Sequence, residues 1–201
     1  MSAVRKLVPH LMPIGASGIP RADAEIQRTI ETLRVAQFEH EPLFDAADSF
    51  CLSLRNSAVK REGAILEAAI MDAIDQTPIL RLLPVNRRLS RVVDVQFEVR
   101  DSGWMVALEV KRGHLHDSKA MRQFRADLAQ IPLLLRTSIP LFPAENVQFH
   151  IVFVGGEPPL REGLRIEDLG RLYGLHARSH IQTARQRYSA AIKTVLRERV
   201  V

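Results

Sequence analysis

The chain has 201 residues, 46% of them hydrophobic and 25% charged, with a net charge of +5. That length suits one domain with a sizeable core better than two. A single cysteine excludes an internal disulfide, no apolar run reaches the roughly 18 residues of a membrane span, and the basic balance favours a polyanionic partner.

Residues 1–20 hold Pro9, Pro13, Gly15, Gly18 and Pro20 and read as an irregular arm. Its opening stretch is too broken for a signal peptide, so a cytoplasmic location is the expectation. Residues 21–39 predict a helix, with Ala22, Ile26, Ile30 and Leu33 near a 3.6-residue spacing. A second helix is expected over 44–57, with Cys51 as a small buried residue. A third is expected over 58–75, where Leu66, Ile70, Ala73 and Ile74 make the apolar stripe. Residues 78–86 predict a short strand interrupted by Pro84. Arg87, Arg88 and Arg91 follow, and guanidinium groups suit phosphate contacts.

Residues 91–113, RVVDVQFEVRDSGWMVALEVKRG, predict a β-hairpin. Val93, Val95, Phe97 and Val99 alternate along one arm, and Trp104, Val106, Leu108 and Val110 along the other. Asp94, Gln96 and Glu98 share the opposite face of the first arm; Met105, Ala107, Glu109 and Lys111 share that of the second. A two-residue loop at Asp101 and Ser102 sets Asp94 directly opposite Glu109, whereas other loop lengths shift the pairing to a diagonal or set Asp94 opposite Lys111. Like charges opposed on a sheet are destabilising. The same pair, with Lys111 two residues on, suits a hard divalent cation that takes oxygen ligands.

Beyond the hairpin, Asp117 is a plausible N-cap. Met121, Phe124, Leu128 and Ile131 form a helical stripe, with Lys119, Arg122 and Gln123 on another face and Pro132 ending or kinking the helix. His114 and His116 lack an evident third ligand and read as ordinary loop residues. Residues 146–156 predict a strand ending in a glycine turn, reached by a parallel crossover. Residues 178–199 predict a terminal helix, with Ile181, Ala184, Tyr188, Ala191 and Val195 on its buried side. Arg178, Arg185, Arg187, Lys193, Arg197 and Arg199 crowd the rest, and such a face either tracks a DNA backbone or is simply solvated.

Asp94 followed by Glu109-Val110-Lys111 on the next strand resembles the PD-(D/E)xK nuclease superfamily, with Val93 where the family name has proline. The resemblance spans roughly residues 58–156. It implies an α/β fold: a restriction-endonuclease-like core with a central mixed sheet flanked by helices. The expected division is one domain over 1–201, with an arm and helices over 1–57, the nuclease-like core over 58–156 and a basic C-terminal helix over 157–201. The resemblance further implies Mg2+, with Mn2+ as a substitute, held by Asp94, Glu109 and the Val110 carbonyl. Lys111 then acts on the attacking water, and Glu67 supplies an extra acid from the preceding helix, with Glu62 and Asp72 as weaker candidates. Gln123 matches a glutamine that recombination-type exonucleases of the superfamily carry near the site. Arg87, Arg88, Arg91, Lys119, Arg122 and Gln123 are the expected DNA contacts.

The implied function is a DNA endonuclease, first a dimeric restriction type, then a junction-resolving, repair or mobile-element nuclease. The competing expectations are a non-cleaving DNA-binding or assembly module of the same fold, and an unrelated α/β protein in which Lys111 simply pairs with Glu109.

Overall fold

The computed structural model describes residues 18–36, 45–85, 93–113, 118–138, 142–155, 158 and 162–200. Arg87, Arg88, Arg91, His114, His116, Asp117, Gly156 and the arm up to residue 17 lie outside them, as do the side chains of Lys119 and Met121.

Helix α1 (Pro20–Val35) buries the expected stripe of Ala22, Ile26, Ile30 and Leu33. It has no capping side chain of its own. Asp72 supplies the cap from α2 (Ala46–Asp75): its carboxylate accepts the amides of Arg21 and Ala22, each at 3.0 Å. Two orphan donors and the positive end of the helix dipole are satisfied together. Asp72, a weaker candidate for a site acid, is 1% exposed and caps α1. Glu62 is similarly occupied, accepting from Arg185 Nε at 2.8 Å.

The two helices expected over 44–57 and 58–75 are one continuous helix of 30 residues. Leu54 and Ala58 are both buried, so the apolar seam runs through the expected break, and no proline or glycine interrupts it there. Asp45 caps its start by accepting the Asp48 amide at 2.8 Å. Cys51 is exposed, against expectation, because Leu54 and Ala58 take the core-facing side of that stretch.

Five strands form one mixed sheet in the order β1 (Leu80–Leu83), β2 (Val95–Val99), β3 (Trp104–Lys111), β4 (Val147–Phe153) and β5 (Leu164–Arg165). The first three pair antiparallel, and β3, β4 and β5 pair parallel. Helix α3 (Ser118–Ser138) makes the crossover between β3 and β4. It continues through Pro132 rather than ending there. Leu135, fully buried beyond the proline, extends the stripe of Phe124 and Ile131, and that burial outweighs the missing amide bond.

Alternation along β3 divides the core. Val106 and Leu108 join Val95, Phe97 and Val152 under α1, α2 and α5 (Arg178–Val200). Met105 and Ala107 join Phe149, Ile151 and Phe153 under α3, where Phe124 and Phe153 stack at a tilt 5.9 Å apart. The short α4 (Asp168–Tyr173) seats Tyr173 edge-on against Phe97.

Helix α5 buries Ile181, Ala184, Tyr188 and Val195 as expected. Its basic face is partly neutralised: Arg178 pairs with Glu167, Arg185 with Glu62 and Arg187 with Asp23. Among the described residues, no helix is long and apolar enough to cross a membrane.

The cross-chain cap yields a direct test. Asp72→Ala is expected to cost about 1–3 kcal/mol, since two amides, that of Ala22 buried, lose their acceptor. The denaturant midpoint falls at unchanged slope, and Asp72→Asn recovers part of the loss.

Candidate active site

The hairpin register agrees with expectation over most of its length. Val95 pairs with Leu108, Gln96 with Ala107, Phe97 with Val106, Glu98 with Met105 and Val99 with Trp104. The turn is longer than the expected two-residue loop and occupies Arg100 to Gly103, with the Gly103 amide on the Val99 carbonyl at 2.8 Å. Gly103 sits at φ +66°, a left-handed conformation that glycine adopts without steric cost.

Asp94 departs from the expected pairing with Glu109. Its amide is donated to the carbonyl of Leu108, which already faces Val95, at 2.8 Å. The ladder slips by one residue, as at a β-bulge. Val93 is consequently packed in the α3 cluster, away from Val95 and Phe97 with which alternation grouped it. Asp94 Oδ2 accepts the Val110 amide at 2.6 Å, replacing a backbone acceptor with a carboxylate.

That bond fixes the edge from which the Val110 carbonyl leaves. The amide and carbonyl of a strand residue share one edge. The Val110 carbonyl is therefore on the Asp94 side of β3, while the Lys111 carbonyl accepts the Val154 amide on the β4 side at 2.9 Å. Close by, the Arg112 carbonyl lies 2.7 Å from where a Cβ on Gly155 would sit, so only glycine fits that turn without displacing backbone. Gly155 is thus a packing turn, as the absence of a phosphate-loop spacing suggested.

Glu109 is 7% exposed. Its Oε1 accepts from Lys111 Nζ, and its Oε2 is buried with no hydrogen-bond partner among the described residues. Glu67 approaches from α2, half-buried with its Oε1 3.8 Å from a Cβ built on Gly63. Burial, then the charge of Asp94, then that of Glu25 push its carboxyl up to about 7. Burial also raises Asp94, opposed by the Val110 amide and Lys111. Glu109 is raised by burial and by the charges of Asp127 and Asp94, and is lowered by Lys111.

The charge of Asp94 thus acts on Glu67 of α2 and on Glu109 at the C-terminal end of β3, and Lys111 acts on both Asp94 and Glu109. Arg122 is exposed on α3. Gln123 is also exposed, and its amide donates to Asp127 at 2.6 Å. Asp127, buried on α3 with a charge that helps raise the Glu109 carboxyl, is a residue the sequence reading did not single out. Its signals were its spacing four residues after Gln123 and its place between Phe124 and Ile131 on the buried stripe. Glu98, by contrast, pairs across the strands with Arg81. Gln96 is 2% exposed, with Nε2 unpartnered among the described residues.

The donor set fits a hard cation. It comprises carboxylates whose charges oppose one another, a backbone carbonyl on the same strand edge, and a buried carboxylate oxygen without a partner among the described residues. Among the described residues no three His, Cys, Asp or Glu side chains converge on a ready-made cage.

Set against models of known protein families, curated proteins and solved structures, the chain matches none.

The raised carboxyl of Glu67 sets a pH dependence. The folded state holds this proton between about 4.5 and 7, whereas the unfolded chain has lost it, so the charged form costs stability as pH rises through that window. In chelator at pH 8, Glu67→Gln is expected to melt higher than wild type, on the order of 2–4 °C. That is the shift about 1 kcal/mol produces in a chain of this size, after discounting for partial exposure. The gap closes by pH 4.5. Thermal unfolding across pH measures it, and a gap independent of pH rejects this account of Glu67.

Proposed function

We propose that this chain is a divalent-metal-dependent deoxyribonuclease of the PD-(D/E)xK type, acting first as a restriction-type endonuclease. The single observation that carries the reading is the meeting of acids at the C-terminal end of β3: Asp94 accepts the Val110 amide, Glu109 accepts from Lys111, and the Glu109 Oε2 is buried without a partner among the described residues. The topology supports it: a helix, an antiparallel β1-β2-β3 meander, a helical crossover and a parallel β4 follow the order of the restriction-endonuclease-like core. The net charge of +5 suits a nucleic-acid partner.

Asp94, Glu109 and the Val110 carbonyl would hold Mg2+ or Mn2+. When bound, such an ion lowers the pKa of water and neutralises phosphate charge. The remaining chemistry belongs to the chain. Lys111 brings an ammonium to the same end of β3, where exchanging Glu109 for a phosphate oxygen stabilises charge that develops in the transition state. Glu67, with its carboxyl near 7, can give or take a proton at neutral pH, the range in which a general acid or base is most effective. Arg122 and Gln123 are exposed on α3 and would supply backbone contacts that position DNA without specifying sequence.

Restriction-type cleavage of both strands implies two copies of the chain. Junction-resolving, repair and mobile-element nucleases use the same group on other DNA shapes. One observation favours the unrelated α/β reading instead: Lys111 pairs with Glu109, as that reading expects, and Asp94 has a structural partner in the Val110 amide.

Cleavage of supercoiled and linear DNA in Mg2+ or Mn2+ separates these readings. Wild type is expected to cut. Asp94→Ala and Lys111→Ala, with unchanged circular dichroism, are expected to lose on the order of 10²–10³-fold or more. Discrete products indicate sequence specificity, and a smear indicates its absence. Salt-dependent binding without cleavage supports the module and rejects the nuclease.

A further inference from the structure

On the sheet face covered by α3, two buried side-chain atoms have no hydrogen-bond partner among the described residues: Gln96 Nε2 and Glu109 Oε2. Strand pairing puts both on that face. Gln96 stands between Leu83 of β1 and Ala107 of β3, and Glu109 stands beside Ile151 of β4. Ala107 and Ile151 belong to the cluster under α3, and Leu83 packs against it. Strand β3 runs in regular register with β4 from Met105 to Lys111, so the slip at Asp94 does not turn Glu109 off this face. Glu109 lies two residues beyond Ala107, which makes it the diagonal neighbour of Gln96 across the strands. Diagonal neighbours lie about 7–8 Å apart, within reach of each other for long side chains.

Burial limits what can join them. Gln96 is 2% exposed and Glu109 7%. Groups so deep are closed to a phosphate group but can be reached by a single ion. The lateral neighbours of Gln96, Leu83 and Ala107, offer its amide no side-chain acceptor. With Nε2 unbonded, that nitrogen does not lock the amide in its present sense, and a half turn about the last side-chain bond exchanges nitrogen and oxygen.

We propose that Gln96 is a further ligand of the divalent cation, its side-chain oxygen joining Asp94, Glu109 and the Val110 carbonyl. The inference rests on the reading that this group binds such a cation. Hard cations take amide carbonyls alongside carboxylates. A glutamine adds a hard oxygen next to Glu109 without adding another buried negative charge, which would be costly in the metal-free fold. A glutamine kept for the fold alone would instead have its buried N–H bonded.

The test is Mn2+ binding to the full chain by calorimetry, with melting temperatures measured in chelator. Gln96→Met keeps the length of the side chain and removes the hard oxygen. It is expected to weaken Mn2+ about tenfold. In chelator it melts at or above wild type, because an apolar group replaces an unpartnered amide. Gln96→Glu keeps the shape and makes the oxygen anionic. It is expected to bind Mn2+ about tenfold more tightly, since ligand charge sets affinity, and to melt below wild type in chelator, where two buried carboxylates repel. Unchanged Mn2+ affinity in both variants overturns the inference and leaves the nuclease reading standing. A Gln96→Met chain that melts below wild type in chelator also overturns it, since the glutamine then serves the fold. If wild type binds no Mn2+, the metal-nuclease reading fails, and this ligand with it.

Discussion

The carboxylate of Asp94 stands in for a backbone carbonyl at the point where β2 meets β3. A buried amide must find an acceptor, and a side chain supplies it for Val110. The other features of the site follow from this substitution. The ladder slips, Val93 falls on the α3 side, and the charge of Asp94 comes within range of Glu67 on α2. The Val110 carbonyl is left on the same strand edge. A regular ladder at this point would have placed a structural carbonyl where the carboxylate now lies.

The group held there works against the stability of the fold. Burial raises three carboxyls, like charges raise Glu67 and Glu109 further, and Lys111 offsets only Asp94 and Glu109. The rest of the molecule absorbs the cost through two packed layers: α1, α2 and α5 on one face of the sheet and α3 on the other. Perturbed acids concentrated at one end of a well-packed sheet are more common at functional sites than in purely structural clusters. Asp72 illustrates the contrast, since its buried charge is consumed by two helix amides.

Much of this was legible in the sequence, because period-3.6 and period-2 patterns report which face is buried. The stripes of α1 and α5 and the register from Val95 to Val99 were read directly. What escaped was decided by neighbours distant in sequence. Cys51 is exposed because Leu54 and Ala58 own the buried side of α2. Pro132 stays inside α3 because Leu135 has a pocket to fill. The slip at Asp94 needs the Val110 amide, and local spacing cannot reveal it. Asp127 reads in the sequence as an ordinary helix aspartate, and its burial needs α3 packed on the sheet. The charge of α5 read as a free basic face, whereas Arg178, Arg185 and Arg187 are paired with acids as far away as α1.

The continuity of α2 gives the lone thiol an unusual use. Cys51 and Glu67 lie sixteen positions apart on one unbroken helix, about 24 Å along its axis. The chain has no other cysteine, and this one is exposed. A spin label or fluorophore attached there would sit on the same helical shaft as the Glu67 carboxylate, outside the site. Any tilt of α2 as the acids of the site change their charge would be read at a distance, from the wild-type chain, without engineering a cysteine.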